Sequence, residues 1–420
     1  MQKLISCIII LSSLLGNSQE KPGITGKTNW LLGWANFRPK TIEYRAATVI
    51  LNGNISVDTK LVASNVYLLS GTVRVVNNAI LTIEPGTIIR GESITTGSLM
   101  ITQGAKIIAS GTENDPIIFT SDKTPSNRKP GDWGGLILLG NAPLNTFGNK
   151  GYFGFDKNEK HNNYGGFKPD DSSGVLKYVR VEYGGKKDVT GYSSNAISLA
   201  GVGNKTVLEH IMVTDSFDDS FQIYGGNFTL NHIVSLRAGD DDFDFIQGTQ
   251  CTISNGLAVR YPYISDPLRS RCLEIESYEK IGKFDPTKNK TSIKLSHVTL
   301  VENAANDSGL LKEAIYFSKD AFLEVENSVI SGFKSFVAFN EFYFQKQNYK
   351  NLKVSNSIID NCKYAFSDTT YETTLETDET LEIISDWFLQ PTNNVVKSEL
   401  GFSELFIEND LRKQPDFRLK

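Results

Sequence analysis

Two stretches of the chain concentrate carboxylates: SFDDSFQIYGG, Ser216 to Gly226, and GDDDFDFIQG, Gly239 to Gly248. An offset of 22 residues sets Asp218 on Asp240, Asp219 on Asp241, Ser220 on Asp242, Phe221 on Phe243 and Gly226 on Gly248. Strands stacked about 4.8 Å apart would bring these acids together, and two such charges repel by roughly 3.5 kcal/mol at an effective dielectric of about 20. Solvent, a raised pKa, backbone N–H groups or a bound cation must relieve that repulsion. Ca²⁺ suits the chemistry, because it accepts six to eight hard oxygen ligands in flexible geometry. The expected ligands are Asp240, Asp241, Asp242 and Asp244, then Asp218 and Asp219, with the acidic loop Asp170 to Gly174 as a further source. The alternative is that each aspartate makes a local turn and the excess charge faces water. No EF-hand loop or glycine-rich calcium nonapeptide occurs.

Other residues invite chemistry of their own. Arg237, Arg260, Arg269 and Arg271 lie close in sequence to the acid knots, and an arginine or lysine base beside a cation-bound carboxylate is what a polysaccharide lyase needs. GDWGGLILLGNAP, Gly131 to Pro143, opens a glycine-rich insert that spans 126–174; long inserts in repeat folds are usually functional or act as lids. Trp133 in that insert, with Phe342, Tyr343 and Phe344 of the run FKSFVAFNEFYFQ, is the expected ligand or partner surface. Alternate aromatics of that run must be core; the surplus would contact sugar rings or a protein.

The elements that position these groups are strands. LTIEPGTII at Leu81 lines up with LMITQGAKI at Leu99, and the register continues as LKYVRVEY (Leu176), LEHIMVTD (Leu208), LNHIVSLR (Leu230), LSHVTLVE (Leu295), VENSVISG (Val325) and VSNSIIDN (Val354). Short β-branched runs closed by Gly, Asn or Asp are strand-and-turn punctuation, and repeat spacings of 20 to 30 residues with ragged inserts suit neither propeller blades nor helical repeats. The fold class expected is all-β, a right-handed parallel β-helix whose coils stack into one solenoid capped at both ends. The third repeat position holds Tyr178, His210, His232, His297, Asn327 and Asn356. The repeat register predicts that these imidazoles form a polar ladder at a corner, where a catalytic cluster has no reason to follow the register.

Boundaries follow: a signal peptide over 1–18, an N-terminal cap over 19–60 carrying Trp30 and Trp34, the β-helix over 61–365, and a C-terminal cap over 366–420. ETLEIISDWFLQP, Glu379 to Pro391, reads as a helix with Leu381, Ile384, Trp387 and Phe388 on one face. The apolar run Leu4 to Leu15 is too short to span a bilayer, which takes about 20 residues, and is expected to be a cleaved export signal. Cys7 lies within that run rather than after it, so it is not expected to be a lipid-bearing cysteine. The formal charge of −5 over 420 residues argues against polyanion partners such as nucleic acid. Cys251 and Cys272 are expected either as a disulfide in an oxidising compartment or as separately buried thiols.

GDWGGLILLGNAP, DDSSGVLKYVRVEYGG and ISLAGVGNKTVLEHIMVTDSFDDSFQIYGG resemble a family of exported Bacteroidota-type proteins, many of them lipoproteins, with a pectate-lyase-like right-handed β-helix. The resemblance covers residues 60 to 365. Members are often encoded beside TonB-dependent outer-membrane receptors, which implies a non-catalytic binding or accessory protein in the periplasm, at the outer membrane or outside the cell, acting on a glycan or other polymer or on a transporter. The paired acids before Gly-Gly and the DDDFD run match Asp218, Asp219, Asp240, Asp241, Asp242 and Asp244 here. β-Helix glycosidases of the polygalacturonase type are similar in architecture, and Gly239-Asp240-Asp241 echoes one of their motifs. Here no histidine is followed by glycine and Arg-Ile-Lys is missing, so the alternative left standing is a Ca²⁺-dependent lyase of acidic glycans.

Overall fold

A computed structural model of the chain describes residues 21–154, 159–186, 194–261, 263–264, 270–303, 311–339, 348–362, 364–368, 393–397 and 402–420. Long strands stack in parallel and in register: Gly174–Glu182, Val207–Thr214, Asn227–Leu236, Gln250–Arg260 and Ser292–Glu302. Leu176 lies on Leu208, Leu208 on Leu230, Leu230 on Ile253, and Ile253 on Leu295. Each of these strands bends midway, so it supplies two faces of the coil. Short strands form the third face: Ile197–Ala200, Phe221–Tyr224, Phe243–Ile246, Leu273–Ile275 and Glu313–Phe317. Among the described residues the coils form one sheet of 26 strands wound on itself, a parallel β-helix, with two short two-stranded pairs outside it.

The bend explains the third repeat position. Tyr178, His210, His232, Asn255, His297, Asn327 and Asn356 all adopt left-handed backbone, with φ between 45° and 57°. Asparagine and histidine tolerate this region better than most non-glycine residues. The rings stack as the register requires, Tyr178 on His210 at 4.3 Å and His210 on His232 at 4.5 Å between centroids. Asn255 belongs to the same column and was hidden by its neighbour Gly256, which breaks the apolar pattern.

Inside the coil, leucine, isoleucine, valine and phenylalanine from all three faces make one continuous core, including Leu230, Ile253, Phe221 and Phe243. The rings of Phe221 and Phe243 stack at 5.1 Å. Burying a large apolar side chain contributes about 1.5–3 kcal/mol, and no coil can do so without its neighbours.

The ends differ from expectation. Val49–Ile55 and Thr59–Leu61 already pair in the coil register, Val49 on Tyr67 and Thr59 on Leu81, so the solenoid begins before residue 61. Trp34 and Phe37 do not cap the first coil. With Ile24, Leu405, Phe406 and Phe417 they cover the outer side of the second face, over Met212, Val234, Leu257 and Val259. That face is apolar on both sides and therefore needs a cover, which the two chain ends supply together; Ile24 bridges Arg418. Trp30 and Trp34 stand edge-on to the ladder, 5.0 Å from His232 and 5.5 Å from His210. The helix expected at Glu379 to Pro391, the signal segment, and Phe342, Tyr343 and Phe344 lie outside the described residues.

Candidate divalent-cation site

The acid knots end up at the corner that leads into the third face. Phe221 and Ile223, then Phe243 and Phe245, point into the core, so the residues between them point outward. Gln222 lies on Asp244 and Asp244 on Glu274 in consecutive strands. Just before these strands, carboxylate oxygens of Asp218, Asp219 and Asp240 lie within 4.8 Å of one another.

Asp219 and Asp241 also hold the backbone. Asn195 Oδ1 accepts the N–H of Asp219 at 3.2 Å, Asp219 Oδ1 accepts that of Asp241 at 3.0 Å, and Asp241 Oδ1 accepts that of Arg271 at 2.6 Å. One column of side-chain oxygens thus caps three successive coils, satisfying donors that would be costly to leave buried and unpaired. Asn195 performs this task without a charge.

The electrostatics are severe. Burial, then the charges of Asp244, Asp218 and Asp240, holds the Asp219 carboxyl well above the ordinary aspartate range. Asp241 is pushed the same way by burial, then Glu274, Asp240 and Asp219, against the opposing pull of Arg271. Asp244 is raised by burial and Glu274, although Gln222 Nε2 donates to its Oδ2 at 2.7 Å. Its Oδ1 is buried with no hydrogen-bond partner among the described residues. Hard oxygen donors, mutual repulsion and an orphaned carboxylate oxygen together fit a divalent cation of the Ca²⁺ kind.

Four expected site residues are placed elsewhere. Asp242 faces the interior, fully buried, in an ion pair with Arg260 at 3.0 Å and hydrogen-bonded to Ser235. Its rung equivalent, Ser220, is an interior position too, so an acid there requires a buried cation. The loop at Asp170 does not join the cluster: Asp170 pairs with Lys205 at 2.8 Å and Asp171 accepts the N–H of Asn141 at 2.9 Å. Trp133 is no ligand surface, being 0% exposed, with its indole N–H donating to Glu182 O at 2.8 Å and its ring stacked on Phe119. A Cβ at Gly91 would lie 2.4 Å from Trp133 Cβ, so the indole occupies space that only glycine leaves. The expected insert also shrinks, because Gly135–Leu139 is a coil strand pairing with Ile197–Ala200.

The arginines are committed. Arg237 Nε and one terminal nitrogen grip Asp215, each at 2.8 Å. Arg271 holds Glu313 and Glu274, at 2.8 and 2.9 Å, with its guanidinium 4.5 Å over the Tyr316 ring; Arg269 lies outside the described residues. Cys251, Cys272 and Cys362 are free thiols, not a disulfide. Glu274 and Glu276 escaped the reading from sequence. Carrying the register one coil further, Phe243 onto Leu273, would have found Glu274, but the intervening chain is eight residues longer than in the previous coil.

No curated protein and no solved structure matches the chain. A family model described as a pectate-lyase-like β-helix domain matches residues 53–397. With that span and the stacked parallel strands together, the chain belongs to the pectate-lyase-like β-helix domain family.

Proposed function

We propose that this is a non-catalytic exported binding or accessory protein whose third face carries a Ca²⁺ site formed by Asp218, Asp219 and Asp240, with Asp244 behind it. The observation that carries the reading is the convergence of Asp218, Asp219 and Asp240, whose carboxylate oxygens lie within 4.8 Å of one another. The ladder hydrogen bond needs only an oxygen, as Asn195 supplies, so a carboxylate at Asp219 adds nothing to the ladder and, when ionised beside its neighbours, carries a cost in stability. A cation converts that cost into affinity. Asp218, Asp219 and Asp240 would hold the ion, and the ion would supply a bridge to an anionic group of a polymer or partner surface. Fold alone does not assign an activity, and the engagement of Arg237, Arg260 and Arg271 supports binding over a lyase that uses one of them as its base. Export through the leader and docking on an outer-membrane transporter of the TonB-dependent type belong to the same proposal.

The test is thermal melting of the full chain with Ca²⁺ and with chelator. A ligand bound only by the native state at 100 times its Kd stabilises by about 2.7 kcal/mol, so the midpoint should rise with Ca²⁺, and the rise should vanish in Asp240→Asn. An unchanged midpoint contradicts the cation site. Release of an absorbing unsaturated product from an acidic glycan would replace the binding reading with the lyase one.

A further inference from the structure

Phe217, the residue before Asp218, lines an open cavity of about 270 Å³. The GDWGG segment builds it. Asp132 is buried and accepts from Ser121 Oγ at 2.6 Å, from Lys123 Nζ at 2.7 Å and from the Lys129 N–H at 3.0 Å, which fixes the loop. Gly131 adopts φ +83°, and a Cβ there would fall 3.1 Å from the Phe217 ring, so the loop closes on that ring only with glycine. Lys123, Lys129 and Lys186 line the cavity with Ser93 and Phe217, and among the described residues Asp132 is the one acid in its wall. Lys123 already neutralises Asp132; among the described residues Lys129 and Lys186 stand in no ion pair, and Lys186 Nζ donates to the Ser93 carbonyl at 2.5 Å. Phe217 is 42% exposed and forms an apolar wall. The chain as a whole carries a charge of −5, which makes a cationic cavity with an aromatic wall a local exception to be explained.

We propose that this cavity takes one ring of an anionic saccharide, its carboxylate or sulfate ester against Lys129 and Lys186 and its apolar face on Phe217. The volume lies near the lower end for small-molecule sites, about 300 Å³, which is room for one ring rather than a long segment. Lysine ammonium groups bind such oxyanions as point charges, and an aromatic face contributes contact area at small entropic cost. Because Phe217 precedes Asp218 directly, a chain leaving the cavity across that ring meets the acid cluster, where a cation would bridge its next acidic group. The inference rests on the binding-protein reading above and supplies the class of its ligand.

Isothermal titration of the full chain tests it, with a uronate oligosaccharide, a sulfated oligosaccharide and a neutral one of equal length, each in chelator and in Ca²⁺. At least one anionic probe should bind in chelator, at least tenfold more tightly than the neutral one; which of the two does so distinguishes carboxylate from sulfate. Lys129→Glu and Phe217→Ala should each weaken that binding tenfold or more and leave titration with Ca²⁺ alone unchanged. Equal binding of neutral and anionic probes, or indifference to both variants, overturns the proposal. Displacement by an equal concentration of inorganic sulfate overturns it too, since it would leave an anion site that reads no sugar. Saccharide binding without any Ca²⁺ heat would sink the cation site and leave this cavity standing.

Discussion

Asn195, Asp219 and Asp241 make the same hydrogen bond in three successive coils. The comparison within one column predicts the behaviour of two substitutions. Asp219→Asn keeps the accepting oxygen and removes a repelled charge, so the chelated protein should melt higher than wild type. Asp219→Ala leaves the Asp241 N–H uncapped and should lose about 1–3 kcal/mol in denaturant titration. The pH dependence has two opposed parts. Asp219, Asp241 and Asp244 are raised in the folded state by burial and then by neighbouring carboxylates; their stabilising contribution is present below the ordinary aspartate pKa and is lost as pH rises through the raised values. His210 is lowered to about 4, by burial and then His232; its contribution is present above about 6.5 and is lost as pH falls through about 4. Stability against pH in chelator should therefore fall toward neutral pH through the acid cluster. Adding Ca²⁺ should remove that fall and leave the acid-side loss from the ladder. That the knots would stack was legible in the spacing of 22, but not that Asp242 turns inward. Its alignment with Ser220 carried the signal, and the partner, Arg260, stands in a different strand and becomes a neighbour only once the coil closes.

At the scale of the strand, the bend at the third repeat position decides what the column accepts. Left-handed backbone costs a typical L-residue roughly 1–2 kcal/mol, and Asn255 occupies the same position as His232. His232→Asn should therefore stay within about 1 kcal/mol of wild type by chemical denaturation, whereas His232→Val, β-branched and strained at φ +55°, should lose clearly more. A catalytic role would give the opposite signature, with both variants equally inactive and neither unstable. The strands themselves were legible because each carries alternating or continuous apolar runs closed by turn residues. Trp133 was misplaced because a tryptophan between glycines reads as a loop tip. Here the glycines mark close approach, Gly91 facing the indole and Gly131 facing Phe217.

For the whole molecule, stability is shared between the solenoid core and the cover that both chain ends lay over the second face. Leu405, Phe406 and Phe417 pack there with Trp34 against residues from several coils, so the sequence-remote ends act as one element. Removing residues 402–420 should uncover a contiguous apolar flank, read as enhanced binding of a hydrophobic dye and loss of solubility with the far-ultraviolet strand signal retained. The solenoid was legible because it repeats, whereas the cover was not, since its partners are hundreds of residues apart and obey no register. The cation site is the claim on which the functional account turns. Crystals grown in Ca²⁺ and measured for anomalous scattering address it directly: the predicted result is an ion among Asp218, Asp219 and Asp240 with oxygen ligands at about 2.3–2.6 Å. The same three carboxylates in the same positions, with no ion between them at millimolar Ca²⁺, is the result that would contradict it.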